Sequence, residues 1–258
     1  MIELILIACV AVLIGLSLGM LGSGGAILTV PALIYIVGQD EKIAIASSLA
    51  IVGLIAFTGA VKYQQHKMIH WPVVWQFGFP SMLGSYVAAG FSVYLSGVQQ
   101  LILFAVIMIL AALSMLKNKT DVSHQIIAFS FSIRLMVIGL AVGCVSGLVG
   151  VGGGFLIVPA LLAFTGVTMT KAVATSLVII TLQSLTGFIK YYSIADQQAL
   201  IFDWQAIAVV ALVGAISSIL GQKISTGISQ DKLKKLFALF LLIMSIFILT
   251  KSTIDLLY

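Results

Sequence analysis

Gly147-Leu148-Val149-Gly150-Val151-Gly152-Gly153-Gly154-Phe155-Leu156-Ile157-Val158-Pro159 is the stretch on which the fold turns. It has a twin at an offset of 128 residues: Gly19-Met20-Leu21-Gly22-Ser23-Gly24-Gly25-Ala26-Ile27-Leu28-Thr29-Val30-Pro31. Without a gap, Gly15/Gly143, Gly19/Gly147, Gly22/Gly150, Gly24/Gly152, Gly25/Gly153 and Pro31/Pro159 coincide. The chain is two copies of one unit, each with a glycine run inside an apolar segment.

The match extends outward from the glycines. Ala46-Ser47-Ser48-Leu49 pairs with Ala174-Thr175-Ser176-Leu177, Thr58-Gly59 with Thr186-Gly187, and Lys62-Tyr63 with Lys190-Tyr191. A longer loop in the second copy then moves the offset to 133, so that Trp71 matches Trp204 and Leu103-Phe104-Ala105 matches Leu236-Phe237-Ala238. This divides the chain into a first repeat at 1–116, a polar linker at 117–130 and a second repeat at 131–258.

Of the 258 residues, 61% are hydrophobic and 8% charged. A soluble domain carries about 25% charged residues, so this surface belongs in a bilayer. The apolar runs are continuous and do not alternate, which predicts helices and not a barrel. They fall at 2–21, 24–37, 43–62, 71–94, 98–116, 131–149, 152–165, 171–190, 204–222 and 233–250. Segments 24–37 and 152–165 are shorter than the roughly 20 residues a crossing needs. The expected fold is all-α: a polytopic membrane protein of two inverted repeats, with about 8–10 membrane segments. Two of these are short broken or re-entrant helices. The first apolar run has no basic residue before it and reads as a retained helix, not a cleaved leader. Cys9 and Cys144 do not match under the repeat and read as packed free thiols.

Positive charge tests the segment count. With five crossings per copy, Lys62, Lys67, Lys117, Lys119, Arg134, Lys171, Lys223, Lys232, Lys234 and Lys235 share one side, and Lys42, Lys190 and Lys251 the other, ten against three. If the short segments do not change side while the other eight span, the split is seven against six. The odd count wins and makes the copies antiparallel. A re-entrant hairpin of the first helix with the short segment, leaving three crossings per copy, gives the same sides. Either way both termini lie on the outer side of the cytoplasmic membrane.

The chemistry should gather at the glycine runs. Each run breaks a helix and starts a short one near Gly24 and near Gly152, leaving the first N–H groups without internal partners. Such groups attract anions. The alternative, that the glycines only let helices cross tightly, stays open for any one of them. Ser47, Ser48, Thr175 and Ser176 sit early in the next helices, where their hydroxyls could reach substrate oxygens or cap a neighbouring carbonyl. Thr58, Thr186 and Gln183 are weaker candidates of the same kind. Lys62, Lys190, Trp71 and Trp204 read mainly as interfacial anchors. His66 and His70 lack a third metal ligand. All eight acidic residues lie at segment ends or in loops, so there is no buried carboxylate relay. No phosphate-binding loop or dinucleotide fingerprint is present.

The paired Gly-x-Gly-Gly…Val-Pro motifs, each followed by Ala-(Ser/Thr)-Ser-Leu and Thr-Gly…Lys-Tyr, resemble the sulfite exporter TauE/SafE family, also called the toluene sulfonate uptake permease family. The resemblance covers both copies. It implies a transporter of small sulfur-containing or organic anions such as sulfite, sulfoacetate or sulfonates, and not an enzyme. The matching motif positions are Gly22, Gly24, Gly25 and Pro31, with Gly150, Gly152, Gly153 and Pro159. Ser23 and Gly154 lie in the same turns, and Ala26 stands where the second copy has Gly154. The expected partners are a small anionic substrate and membrane lipid. A coupling ion and a homo-oligomer stay open, and no cofactor, resident metal or nucleic acid is expected. Alternatives from the residues alone are a pore or carrier for another small solute, such as an organic acid or metal ion, and a non-transporting assembly subunit.

Overall fold

The computed structural model describes residues 2–22, 24–117, 132–197 and 201–257. The linker expected at 117–130 lies outside them apart from Lys117. Among the described residues the chain is helical, and ten helices follow the repeat five by five. The first half has α1 (Ile2–Leu21), α2 (Gly24–Tyr35), α3 (Glu41–Gln65), α4 (71–91) and α5 (Gly97–Lys117). The second has α6 (Ile133–Val149), α7 (Gly154–Thr165), α8 (Met169–Gln197), α9 (Trp204–Thr226) and α10 (Gln230–Leu257).

Five helical stretches are long and apolar enough to cross a membrane: Glu41–Gln65, Gly97–Lys117, Met169–Ile194, Trp204–Ser225 and Asp231–Ser252. The protein is polytopic. Helix α4 is the repeat counterpart of α9, although it is not a uniform α-helix. Its first turn, Trp71–Val73, leads into a π turn at Val74–Gly78 before the α-helix resumes at Phe79–Phe91. Pro80 explains the widening. It has no N–H for the carbonyl of Gln76, and its ring crowds that carbonyl. Val213 holds the matching place in α9, which stays regular. Lipid-facing side chains such as Leu54, Phe57, Leu113 and Ile246 are more than half exposed, as expected where hydrocarbon is the solvent.

Helices α1 and α2 form an antiparallel hairpin. A Cβ on Gly25 would strike Ile14 and Leu18 of α1. Towards the open end, Ile7 and Val10 share an apolar recess with Leu33 and Ile36. The hairpin tip stops short of the far side, because Gly22 lies against Val173 and Ser176. Ser176 is seven residues inside α8, which is roughly 10 Å along a helix. The second hairpin, α6–α7, repeats this, with Gly150 against Ile45 near the start of α3. Each hairpin tip ends against the interior of a long helix of the other half, an arrangement compatible with the re-entrant hairpin.

The halves interlock. Helix α1 lies along α9 of the other half: Cβ atoms at Gly15 and Gly19 would run into the carbonyls of Gly214 and Ser218. The register advances in step, so these helices are parallel. The repeat-related pair is α6 on α4, with Gly139, Gly143 and Gly147 against the carbonyls of Phe77, Ser81 and Ser85. Small residues four apart let two backbones touch, which is how membrane helices pack without a hydrophobic driving force. At the centre α3 crosses α8. Gly187 meets Leu49, Gly53 meets Ser184 and Gly59 meets Leu177. These steps run in opposite directions, so repeat-equivalent helices are antiparallel and cross near the middle of both. An internal two-fold axis lying in the membrane plane produces this arrangement.

Candidate functional site

Both glycine runs make buried turns. Gly22 (φ 73°) and Gly150 (φ 70°) end α1 and α6 in the left-handed conformation, their N–H groups donating to the carbonyls of Leu18 and Ser146 at 2.8 and 2.7 Å. Only glycine adopts that backbone without strain. The two turns then diverge. Gly152 (φ 65°) and Gly153 (φ 63°) are also left-handed, so α7 starts at Gly154 and not near Gly152 as expected from sequence. Helix α2 starts at Gly24, as expected. Ser23 lies outside the described residues, and Gly24 is placed only as the first residue of α2.

Each turn is fastened by the other half. Ser48 Oγ donates to the carbonyls of Ile45 (2.8 Å) and Gly150 (3.2 Å). Ser176 Oγ donates to those of Val173 (2.8 Å) and Gly22 (3.3 Å). A hydroxyl has one proton, and in both serines it is engaged by protein. Thr175 Oγ1 accepts from the backbone N–H of His70 at 3.0 Å, tying down the α3–α4 loop. Pro31 and Pro159 lie inside α2 and α7. Neither can donate to the carbonyl one turn back, so those of Ile27 and Phe155 lose a helical partner.

The second turn has an extra clamp. Tyr191 Oη donates towards the Gly147 carbonyl (3.1 Å), while Gln100 Nε2 donates to the Leu148 carbonyl (2.7 Å) and to Tyr191 Oη (3.1 Å). By the repeat Tyr63 matches Tyr191, but Leu233 of the second half stands in place of Gln100.

On its other side the second turn faces polar groups without protein partners. A Cβ on Gly152 would stand 2.5 Å from Ser184 Oγ; one on Gly153 would stand 2.6 Å from Ser146 Oγ and 3.0 Å from Gln183 Nε2. Ser146, Gln183 and Ser184 are at most 1% exposed, yet both hydroxyls and both amide atoms of Gln183 lack a hydrogen-bond partner. Buried polar groups are nearly always paired, so this cluster is the candidate site. Within α7 the hydrogen bonds begin with Leu156 and Ile157, which donate to the Gly153 carbonyl at 2.9 and 3.0 Å. The N–H groups of Gly154 and Phe155 come before them, at the positive end of the helix dipole. Among the described residues the first half has no such cluster: Leu18, Ile55 and Ala56 hold the three places and are buried.

Ser47 is also buried with its hydroxyl unpartnered. Thr58 and Thr186 donate back to carbonyls of their own helices. Lys190 is half-buried near one end of α8, its ammonium 5.3 Å from the ring centre of Tyr86. Trp71 and Trp204 are exposed at helix starts, as membrane anchors are. Among the described residues no Asp, Glu, Lys, Arg or His is buried, and no three His, Cys, Asp or Glu side chains gather to hold a metal. Sequence reasoning singled out the glycines and included Gln183 but missed Ser146 and Ser184. The available signal was that these positions are polar in one copy only.

The family model described as "Sulfite exporter TauE/SafE" matches residues 7–248. The chain belongs to this family. A "Probable membrane transporter protein" of Xylella fastidiosa is 29% identical over 247 residues, covering 93% of this chain and 92% of that protein. A protein of the same description from Methanocaldococcus jannaschii is 30% identical over 268 residues, covering 96% and 97%. Another from Bacillus subtilis is 30% identical over 210 residues, covering 70% and 77%. No solved structure matches the chain significantly. This TauE/SafE member is a multi-pass membrane transporter, not an enzyme.

Proposed function

We propose that this transporter moves a small sulfur-containing or organic oxyanion, of the sulfite, sulfoacetate or sulfonate kind, across the cytoplasmic membrane by alternating access. Both termini face outward. The observation that carries the reading is the cluster of buried, unpartnered donors around the Gly152–Gly153 turn. Gln183 Nε2, the hydroxyls of Ser146 and Ser184, and the N–H groups opening α7 converge where α3 and α8 cross. An oxyanion accepts hydrogen bonds only, and this set supplies donors in a dry environment where they act most strongly. Ser48, Ser176, Gln100 and Tyr191 position the turns, and Thr175 holds the α3–α4 loop. The left-handed glycines keep the space clear of side chains.

Gln183 and Ser184 are fully buried, so on this reading a movement is needed to open the site. Each hairpin is locked by backbone-close glycine contacts to α9 or α4 of the opposite half. The moving bodies are therefore α1–α2–α9 and α6–α7–α4, rocking about the α3–α8 crossing to expose the turn to one side and then the other. Uptake of labelled sulfite and of a sulfonate into proteoliposomes, with and without sodium and pH gradients, tests the reading and identifies any coupling ion. Saturable flux is expected from the wild type, and its loss from Gly152→Leu protein that still inserts. Wild-type rates in that variant would overturn the site.

A further inference from the structure

Resting on that reading, we infer that the site takes an anion carrying a single negative charge and rejects a doubly charged one of the same size. The donors around Gly152 and Gly153 are all neutral: one carboxamide, two hydroxyls and the N–H groups of a helix start. Among the described residues no cation is buried with them. The ionisable groups that are buried, Tyr63 and Tyr191, are phenols, and Tyr191 is held against backbone carbonyls. Lys190, two turns along α8 from Gln183, is half-buried with its ammonium over Tyr86. The matching first-half surface of Leu18, Ile55 and Ala56 supplies no polar group.

Charge scaling turns this into selectivity. The cost of stripping water from an ion rises with the square of its charge, so a dianion pays about four times what a monoanion of equal size does. The attraction of fixed neutral dipoles rises only in proportion to charge. A buried arginine or lysine could close that gap, and among the described residues none is there.

Three anions separate the cases in proteoliposome uptake. Methanesulfonate is always singly charged and sulfate doubly charged near neutral pH, while hydrogen sulfite loses its proton to become sulfite in that range. The expected result is saturable methanesulfonate uptake with the same KM at about pH 6 and about pH 8. The KM for total sulfite should rise about tenfold over that interval as hydrogen sulfite is depleted. Sulfate should neither enter nor compete. Sulfate flux equal to that of methanesulfonate, or a sulfite KM unchanged with pH, would overturn the inference and leave the transport reading standing. No flux of any of the three, from protein shown to be folded, would overturn the transport reading and this inference together.

Discussion

Ser48 and Gly150 are 102 residues apart in the chain and 3.2 Å apart in space, and Ser176 stands in the same relation to Gly22. The re-entrant tip of each half is thus held by the half it does not belong to. A turn placed deep in a membrane needs its carbonyls satisfied by protein, and here the opposite half satisfies them.

Ser48→Ala and Ser176→Ala should each lower stability by about 0.5–1.5 kcal/mol, the worth of a typical buried hydrogen bond. The two sites lie on opposite sides of the crossing, so their effects should nearly add. Thermal unfolding in detergent checks this. A double variant no less stable than either single would mean that the turns do not depend on these bonds.

Glycine does different work at different positions, and two substitutions separate the roles. A Cβ at Gly147 would enter the carbonyl of Ser85 in α4, whereas one at Gly38 meets nothing within 4 Å despite a φ of 75°. Gly147→Val should force α6 off α4 and cost about 2–3 kcal/mol or abolish accumulation. Gly38→Ala should cost only the left-handed backbone strain, about 1 kcal/mol. Comparing yields and melting temperatures of the two decides it.

Gln183 is expected to trade stability for function. It is fully buried with both amide atoms unpartnered, so Gln183→Leu removes a desolvation penalty and should raise stability by about 1–2 kcal/mol. The same change removes the central donor and should reduce anion uptake at least about tenfold, roughly the worth of one good hydrogen bond. A variant that melts higher and still transports at the wild-type rate would show that the amide is not part of the site.

Much of this architecture is readable in the chain. The 128-residue offset, the undersized segments and the uneven lysines lead to inverted halves without coordinates, with the re-entrant hairpin as one of two arrangements left open. What stays hidden is the interlocking. Gly15 and Gly19 announce a close contact but not that their partners are Gly214 and Ser218 of the other half, because small-residue surfaces are alike and shape selects among them. The start of α7 is hidden for another reason: a run of four glycine-permitted positions fits several turn conformations. The one-sided site lies between these cases. Ser146, Gln183 and Ser184 against Leu18, Ile55 and Ala56 can be read in the sequence, but the contrast acquires meaning only when the three side chains are found around one turn.

The assignment of sides rests on lysine counting and can be checked directly. In a background with Cys9 and Cys144 replaced by serine, a cysteine at Gly38 should react with an impermeant thiol reagent added outside intact cells. One at His66 should react only after the membrane is opened. Both positions are exposed, and they lie at opposite ends of α3. The reverse pattern would invert the topology while leaving the two-fold relation intact.

The clamp on the second turn gives the sharpest energetic test, because its parts touch. Gln100 Nε2 reaches both the Leu148 carbonyl and Tyr191 Oη, and Tyr191 Oη reaches the Gly147 carbonyl. Removing Gln100 leaves the Leu148 carbonyl without its amide partner, and removing the phenol hydroxyl takes a partner from Gln100. Each single change, Gln100→Leu or Tyr191→Phe, should therefore cost about 1–3 kcal/mol. The double change should cost about 0.5–1.5 kcal/mol less than their sum, since the bond between the two side chains is counted in both. Gln100→Leu also copies the repeat-equivalent place, where Leu233 of the second half stands, so the variant should fold with a looser second tip. Cysteine reactivity at Val151, buried in the wild type, should then rise. Strict additivity in the cycle, or no change at Val151, would mean that the second tip is held by Ser48 alone and that the clamp is incidental.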